Sequence, residues 1–481
     1  MIFIVPIVFN FPLFVVSNFS MDTRQRSIRI AMLPWLAHGH ICPFIELAKA
    51  LSKRNFYIYI CSTPVNINSF KQTISEKDSI SIKIVELHFP NLPELPPHYH
   101  TTNGLPPLLM STLKNALDMA KPSFFHILNT LKPDLVMYDF LQPWVPTMAA
   151  SQNIPSVLFL TPGAAASCYL FHIGRKKPVS EYPFSAIYLR DHEYDRNRHM
   201  FEPTEDDGYT DTQRRVNGCI DGSSEIILIK TIRELEGKYM DFLSTLCEKR
   251  YVPVGPLVRA PETEHEHEHS EVMKWLNSKQ RCSTILASFG SEYFLSKEEM
   301  EELAYGLELS KVNFLWVVRF PMGEKISLEE ALPKGFLDRI GNTGKVVQGW
   351  APQLRILQHS SIGGFVSHCG WSSVMEGLKL GIPIIAMPMH LDQPLNAKLV
   401  VDAGVGEEAV RDKNGNLDRQ EVAKVIRKVV AEKTGQRLRK RAREYSEILK
   451  SNGAKEIDQV VEELLKLCRL TRRQESTELL Y

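Results

Sequence analysis

The chain has 481 residues, 57 basic and 56 acidic, and a formal charge of +1, a balance that excludes a design for nucleic acid or a broadly anionic partner. Hydrophobic content of 44% and charged content of 23% exclude a disordered chain, and the length exceeds one ordinary core, so two domains are expected. Eight cysteines (Cys42, Cys61, Cys168, Cys219, Cys247, Cys282, Cys369 and Cys468) are scattered with no Cys-x-x-Cys pair and no zinc spacing, which suits reduced thiols in the cytoplasm.

Residues 1–20 are apolar and uncharged, without the basic start of a signal peptide, and Pro6 and Pro12 disfavour a spanning helix. They read as an extension outside the fold, with a cleaved signal as the alternative, and no stable membrane insertion is expected. From Met21 onward strands and helices alternate. "SIRIAMLPW" (27–35) is a strand, "CPFIELAKALSKRN" (42–55) a helix, and "FYIYICST" (56–63) a strand. "LVMYDF" (135–140), "SVLFL" (156–160) and "EIILIK" (225–230) follow as strands. Residues 21–257 therefore form a first parallel-sheet domain.

Residues 258–272 are polar and Pro-containing and read as a linker; His265, His267 and His269 alternate there with glutamates, as a solvated charged run. A second domain, 273–450, restarts with "STILASFG" (283–290), "NFLWVVR" (313–319), "IGGFVSH" (362–368) and "PIIAMP" (383–388). Its "RLRKRAR" (437–443) reads as the wet face of a late helix. Residues 451–481 are expected to form a C-terminal helix packing back toward the first domain, and a tail.

Between the strand 362–368 and the helix "SVMEGLKL" lies a turn holding His368, Cys369, Gly370, Trp371, Ser372 and Ser373. A helix N-terminus offers unpaired N–H groups and positive potential, and so accommodates phosphate. His368, Ser372 and Ser373 add donors, and Gly370 permits close approach. Ser373-Val-Met-Glu376 also has the spacing of a capping box, which competes for the same side chains.

The window "WAPQLRILQHSSIGGFVSHCGWSSVMEGLKLGIPIIAMPMHLDQ" (350–393) resembles the nucleotide-sugar signature of plant family 1 UDP-glycosyltransferases, and the resemblance runs from about Met21 to the last helices. It implies the GT-B fold: α/β, two Rossmann-like parallel-sheet domains facing a cleft, the first binding acceptor and the second the UDP-sugar. By position, Trp350 should stack on uracil, with Gln353 and the Ala351 backbone on base and ribose and Glu376 on the ribose hydroxyls. His368, Trp371, Ser372, Ser373 and Ser291 should line the diphosphate and sugar, and Asp392 and Gln393 the sugar hydroxyls. Ser372 departs from the Asn usual there in the family.

After the first strand no Gly-x-Gly-x-x-Gly occurs, which weighs against a dinucleotide oxidoreductase. Instead the loop carries His38 and His40. The resemblance assigns His40 as the catalytic base, paired with Asp139, for inverting transfer without a metal or cofactor. Gln393 goes with UDP-glucose as donor. "HTTNGLP" (100–106), "YDFLQPW" (138–144) and "SFGSEYFLSKEEM" (288–300), with Glu292 and Tyr293, resemble the branch that extends the sugar of a glycoside. A flavonoid or terpenoid glycoside is the expected acceptor, a free aglycone the alternative. Glu292 as a cap of the following helix is the competing reading of that segment.

Overall fold

The computed structural model describes residues 27–202, 208–259, 270–290, 293–321 and 326–478. The extension at 1–20, the linker histidines His265, His267 and His269, and the site candidates Ser291 and Glu292 lie outside the described residues.

Two parallel sheets organise the chain. The first contains β1 (Ile28–Leu33), β2 (Phe56–Ser62), β3 (Ile82–Glu86), β4 (Leu135–Tyr138), β5 (Ser156–Leu160), β6 (Ile226–Ile229) and β7 (Arg250–Pro253), in the order β3-β2-β1-β4-β5-β6-β7. The second contains β8 (Thr284–Ser288), β9 (Asn313–Val318), β10 (Gly344–Gln348), β11 (Ile362–Ser367), β12 (Ile384–Ala386) and β13 (Gly406–Glu408), in the order β10-β9-β8-β11-β12-β13. All strand pairs are parallel. These are the expected Rossmann-like sheets. β4, β5 and β6 are buried at every position, because helices cover both faces.

Strand order reverses between β1 and β4 in one sheet and between β8 and β11 in the other. At such a point the connecting helices leave on opposite faces, opening a crevice at the strands' C-terminal ends. The helix after β1 begins at His38, four residues earlier than the sequence pattern predicts, so His40 lies in its first turn and not in a loop. Its buried stripe of Ile41, Phe44, Ile45, Leu47, Ala48 and Leu51 packs on the sheet and fixes that turn beside β4.

The two halves share contacts. Arg190 donates to both carboxylate oxygens of Glu408 at 2.6 and 2.9 Å, and Lys398 bridges Glu193 (3.4 Å) and Glu408 (3.1 Å). Trp371, Val374 and Leu378 join one apolar cluster with Ile232 and Tyr239. The last helix, Lys433–Glu478, is continuous through residue 450. Leu438 sits in the core of the second domain, while Ile457, Val460 and Leu464 pack under the first sheet. Arg54–Asp458 and Arg250–Glu463 ion pairs, each 2.6 Å, fasten that second stretch. In 437–443, Leu438 and Ala442 are buried and Arg441 pairs with Glu444, a mostly wet face with a buried seam. Among the described residues no helix is long and apolar enough to cross a membrane. All eight cysteines are free thiols.

Candidate active site

His40 and Asp139 meet at the switch point of the first sheet, one following β1 and the other ending β4. His40 Nδ1 lies 2.8 Å from Asp139 Oδ2. The carboxylate is fully buried and held by two further donors: Trp35 N–H reaches Oδ2 at 3.0 Å, and Phe140 N–H reaches Oδ1 at 2.8 Å. Gln142 Oε1 accepts from the Asp139 N–H at 3.0 Å. An ionised carboxylate only accepts, so Nδ1 carries the imidazole proton and Nε2 is the basic nitrogen. Thr161, following β5, places its hydroxyl 3.0 Å from the same Nδ1, and the Phe140 ring lies 5.2 Å from the imidazole. The ring is thus clamped with 18% of the side chain accessible. A base of this kind can take a proton from a hydroxyl.

At the second switch point, β11 runs into the helix Trp371–Leu380. Its N-cap is Gly370, with no side chain capping it. The expected capping box therefore does not form: the helix starts two residues before Ser373, which puts Glu376 in its interior. Glu376 accepts instead from Gln353 Nε2 at 2.7 Å, and the same amide is 3.5 Å from Ser373 Oγ. Burial raises the Glu376 pKa, opposed by the Gln353 bond and by Lys230 and Lys379.

His368 stands beside this N-terminus, wedged between glycines. A Cβ at Gly370 would come within 2.5 Å of the imidazole, and one at Gly290 (φ +76°) within 2.8 Å. Burial, then His390, pushes its pKa down to about 4, so it is neutral near pH 7 and offers an N–H, not a charge. Its Nδ1 is buried without a hydrogen-bond partner among the described residues. Ser372 Oγ accepts from Lys230 Nζ at 2.7 Å. Trp371 turns away from this N-terminus: 4% exposed, it donates Nε1–H to the Lys230 carbonyl at 2.6 Å and packs on Gly163. Its indole is committed to the contact between the halves.

Trp350 precedes the short helix Gln353–Leu357 and leaves 51% of its surface accessible, while Ala351 is buried. Beyond β12, Asp392 accepts from Asn396 Nδ2 at 2.9 Å, and Gln393 Oε1 accepts from the Met389 and His390 N–H groups at 3.0 and 3.2 Å. The Gln393 carbonyl is therefore used in shaping the turn. Tyr293 lies against it, its ring 5.3 Å from His390 and its hydroxyl 2.8 Å from Glu299. The cap of the helix Lys297–Ser310 is Ser296, in a capping box with Glu299, so the reading of Glu292 as that cap does not hold.

Sequence reasoning passed over Thr161 and Lys230. Both directly follow a fully buried strand of the first sheet. A hydroxyl or lysine in that position, where ligands collect, was the available signal.

Comparison with known proteins identifies the family and the fold. Residues 26–259 match the model described as Glycosyltransferase, N-terminal domain, and residues 255–462 that described as UDP-glucoronosyl and UDP-glucosyl transferase. The chain is 52% identical over 451 residues to UDP-glucosyltransferase 29 of Panax ginseng, covering 93% of this chain and 99% of that one. It is 50% identical over 440 residues to Beta-D-glucosyl crocetin beta-1,6-glucosyltransferase of Gardenia jasminoides, covering 91% and 98%. Glycyrrhiza uralensis UGT73P12, complexed with glycyrrhetinic acid 3-O-monoglucuronide, superposes with a TM-score of 0.79 at 23% identity over 94% of this chain and 99% of that one. The fold is GT-B, and the chain belongs to the plant family 1 UDP-glycosyltransferases.

Proposed function

We propose that the protein transfers glucose from UDP-glucose to a sugar hydroxyl of a small-molecule glycoside, inverting the anomeric carbon. The observation that carries the chemistry is the His40–Asp139 contact of 2.8 Å, with the carboxylate fully buried. Nε2 of His40 takes the proton of the acceptor hydroxyl. The freed oxygen pair forms the bond to the sugar's C1 while the bond from C1 to the phosphate oxygen breaks, and UDP leaves with that electron pair. Asp139 holds the tautomer and supports the imidazolium. Attack opposite an α-linked UDP gives a β-linked product.

In this reading Trp350 stacks on uracil, Ala351 and Gln353 hold base and ribose, and Glu376 accepts from the ribose hydroxyls. His368, Ser372 and Ser373, at the N-terminus of Trp371–Leu380, take the diphosphate, together with Ser291. Neutral donors and the helix dipole stabilise the departing charge without a metal. Asp392 and the Gln393 amide hold the glucose. Residues 21–257 supply the acceptor side and 273–450 the donor side. The free thiols, six of them buried, suit the cytoplasm.

The glycoside acceptor is supported by the Gardenia relative, whose name specifies a glucosylated acceptor, and by Tyr293, an aromatic ring beside the sugar-binding turn. The test offers matched pairs of aglycone and monoglucoside with UDP-glucose, and separately UDP-galactose and UDP-glucuronate in competition. Higher kcat/KM on the monoglucosides, with glucose in the product, is expected. Faster conversion of the aglycones across several pairs would overturn the acceptor reading and leave the transferase standing.

A further inference from the structure

Lys230 is an ammonium in an unusual place. It follows β6 of the first sheet, is 1% exposed, and reaches across to the second half to donate to Ser372 Oγ at 2.7 Å. No carboxylate forms an ion pair with it among the described residues. A buried ammonium normally has a carboxylate partner, because one hydroxyl does not replace its hydration. Ser372 is in the first turn of Trp371–Leu380, so the ammonium is held where that helix directs its unpaired N–H groups. His368 Nδ1, buried and unpartnered, flanks the same N-terminus. An ammonium without a carboxylate partner and an imidazole Nδ1 without a partner among the described residues thus converge on one helix end.

We propose that Lys230 is a diphosphate-binding residue supplied by the first domain, whose ammonium pairs with the leaving UDP and makes the donor site complete only when the two domains are closed. The inference rests on the UDP-sugar reading above and extends it. Ser372 is part of the arrangement: its short hydroxyl leaves room for the ammonium, whereas the Asn usual in the family reaches one bond further. Lys230 also accepts the Trp371 N–H on its own carbonyl, so two successive residues of the diphosphate turn grip it. Binding of the diphosphate and closure of the cleft are thereby the same event.

The titratable groups facing the ammonium are Glu376 from the helix Trp371–Leu380 and Cys42 and Glu46 from the helix His38–Ser52. Burial outweighs them and lowers its pKa to about 8. A bound diphosphate favours the protonated form, so UDP affinity should fall as pH rises above about 8, by up to about tenfold between pH 7 and 9.

The experiment measures the dissociation constants of UDP and uridine by calorimetry for the wild type, Lys230→Met and Lys230→Arg. Uridine lacks the diphosphate, so the ratio of the two constants isolates its contribution. Wild-type binding of UDP is the control on the donor reading itself; its absence would fail that reading and not this one. The expected result is a ratio reduced on the order of 10- to 100-fold in Lys230→Met, with uridine affinity unchanged and most of the ratio retained in Lys230→Arg. An unchanged ratio in a folded Lys230→Met would assign Lys230 to domain packing alone and overturn the proposal. Should that variant not fold, Lys230→Gln is measured in the same way and decides: a reduced ratio supports the proposal, and an unchanged one overturns it.

Discussion

Replacing Asp139 with Asn keeps the volume and removes the charge. Three donors converge on this buried side chain: Trp35 N–H and His40 Nδ1–H on Oδ2, and Phe140 N–H on Oδ1. An amide has one oxygen. Placed at the Oδ2 position it keeps His40 and Trp35 but sets its NH2 against the Phe140 N–H. Turned over, it satisfies Phe140 and sets NH2 against Nδ1, which drives the imidazole into the wrong tautomer. Either way the forming imidazolium loses its counter-charge. We expect kcat to fall by roughly 10²–10⁴, the usual worth of general-base catalysis, or about 3–5 kcal/mol of barrier. One orphaned donor should also cost about 1–3 kcal/mol of stability, visible as a lower melting temperature. The assay is UDP release at saturating UDP-glucose and glycoside, with UDP affinity measured alongside by calorimetry. A kcat within about threefold of wild type, in a variant that still binds UDP, would refute the role given to this pair.

Trp350→Ala and Glu376→Ala should each weaken UDP-glucose binding by roughly ten- to a hundredfold. Since Glu376 caps no helix, its removal should leave the melting temperature nearly unchanged; a large drop in melting temperature at constant affinity would contradict the assignment. Glu408→Ala leaves Arg190 and Lys398 only Glu193 as a carboxylate partner and should destabilise the protein by about 1–3 kcal/mol in a denaturant titration. Glu456, buried with Oε2 lacking a partner among the described residues and with Glu234 nearby, has its pKa raised to about 8, chiefly by burial. The folded state therefore holds its proton longer than the unfolded chain does, and wild-type stability should fall as pH climbs from the ordinary carboxyl range through about 8. Glu456→Gln should reduce this slope, leaving the part due to Glu236, whose pKa burial raises to about 7, and should melt higher than wild type at pH 9; an undiminished slope in the variant would count against it.

Much of this fold is legible in the chain because interior parallel strands are continuous apolar runs, as in Leu135–Tyr138, Ser156–Leu160 and Ile226–Ile229. The strands that escape notice are Ile82–Glu86, Arg250–Pro253, Gly344–Gln348 and Gly406–Glu408, which are the four sheet edges. Three of them are partly solvated, so their apolar pattern dissolves into charged residues such as Lys83 and Glu407, while Arg250–Pro253 opens on an exposed arginine and ends in a proline. Among candidate site residues, motif spacing reaches those held together in one local frame, such as Gln353 with Glu376 at 2.7 Å. It does not distinguish Trp371, whose indole belongs to the contact between domains, because ligand-facing and partner-facing indoles carry the same letter. Nor does it reveal Thr161 or Lys230, whose roles depend on groups 121 and 142 residues away in the chain.

The central claim is glucosyl transfer from UDP-glucose with inversion, driven by His40. Its most direct test is to incubate wild type and His40→Ala with UDP-glucose and a monoglucoside acceptor, isolate the product, and read the configuration of the new anomeric centre from its proton NMR coupling. The account predicts a single added glucose in β linkage, formed by the wild type and slowed by roughly 10²–10⁴ in His40→Ala, with UDP affinity preserved. An α-linked product, or a His40→Ala enzyme that turns over at the wild-type rate, would contradict it.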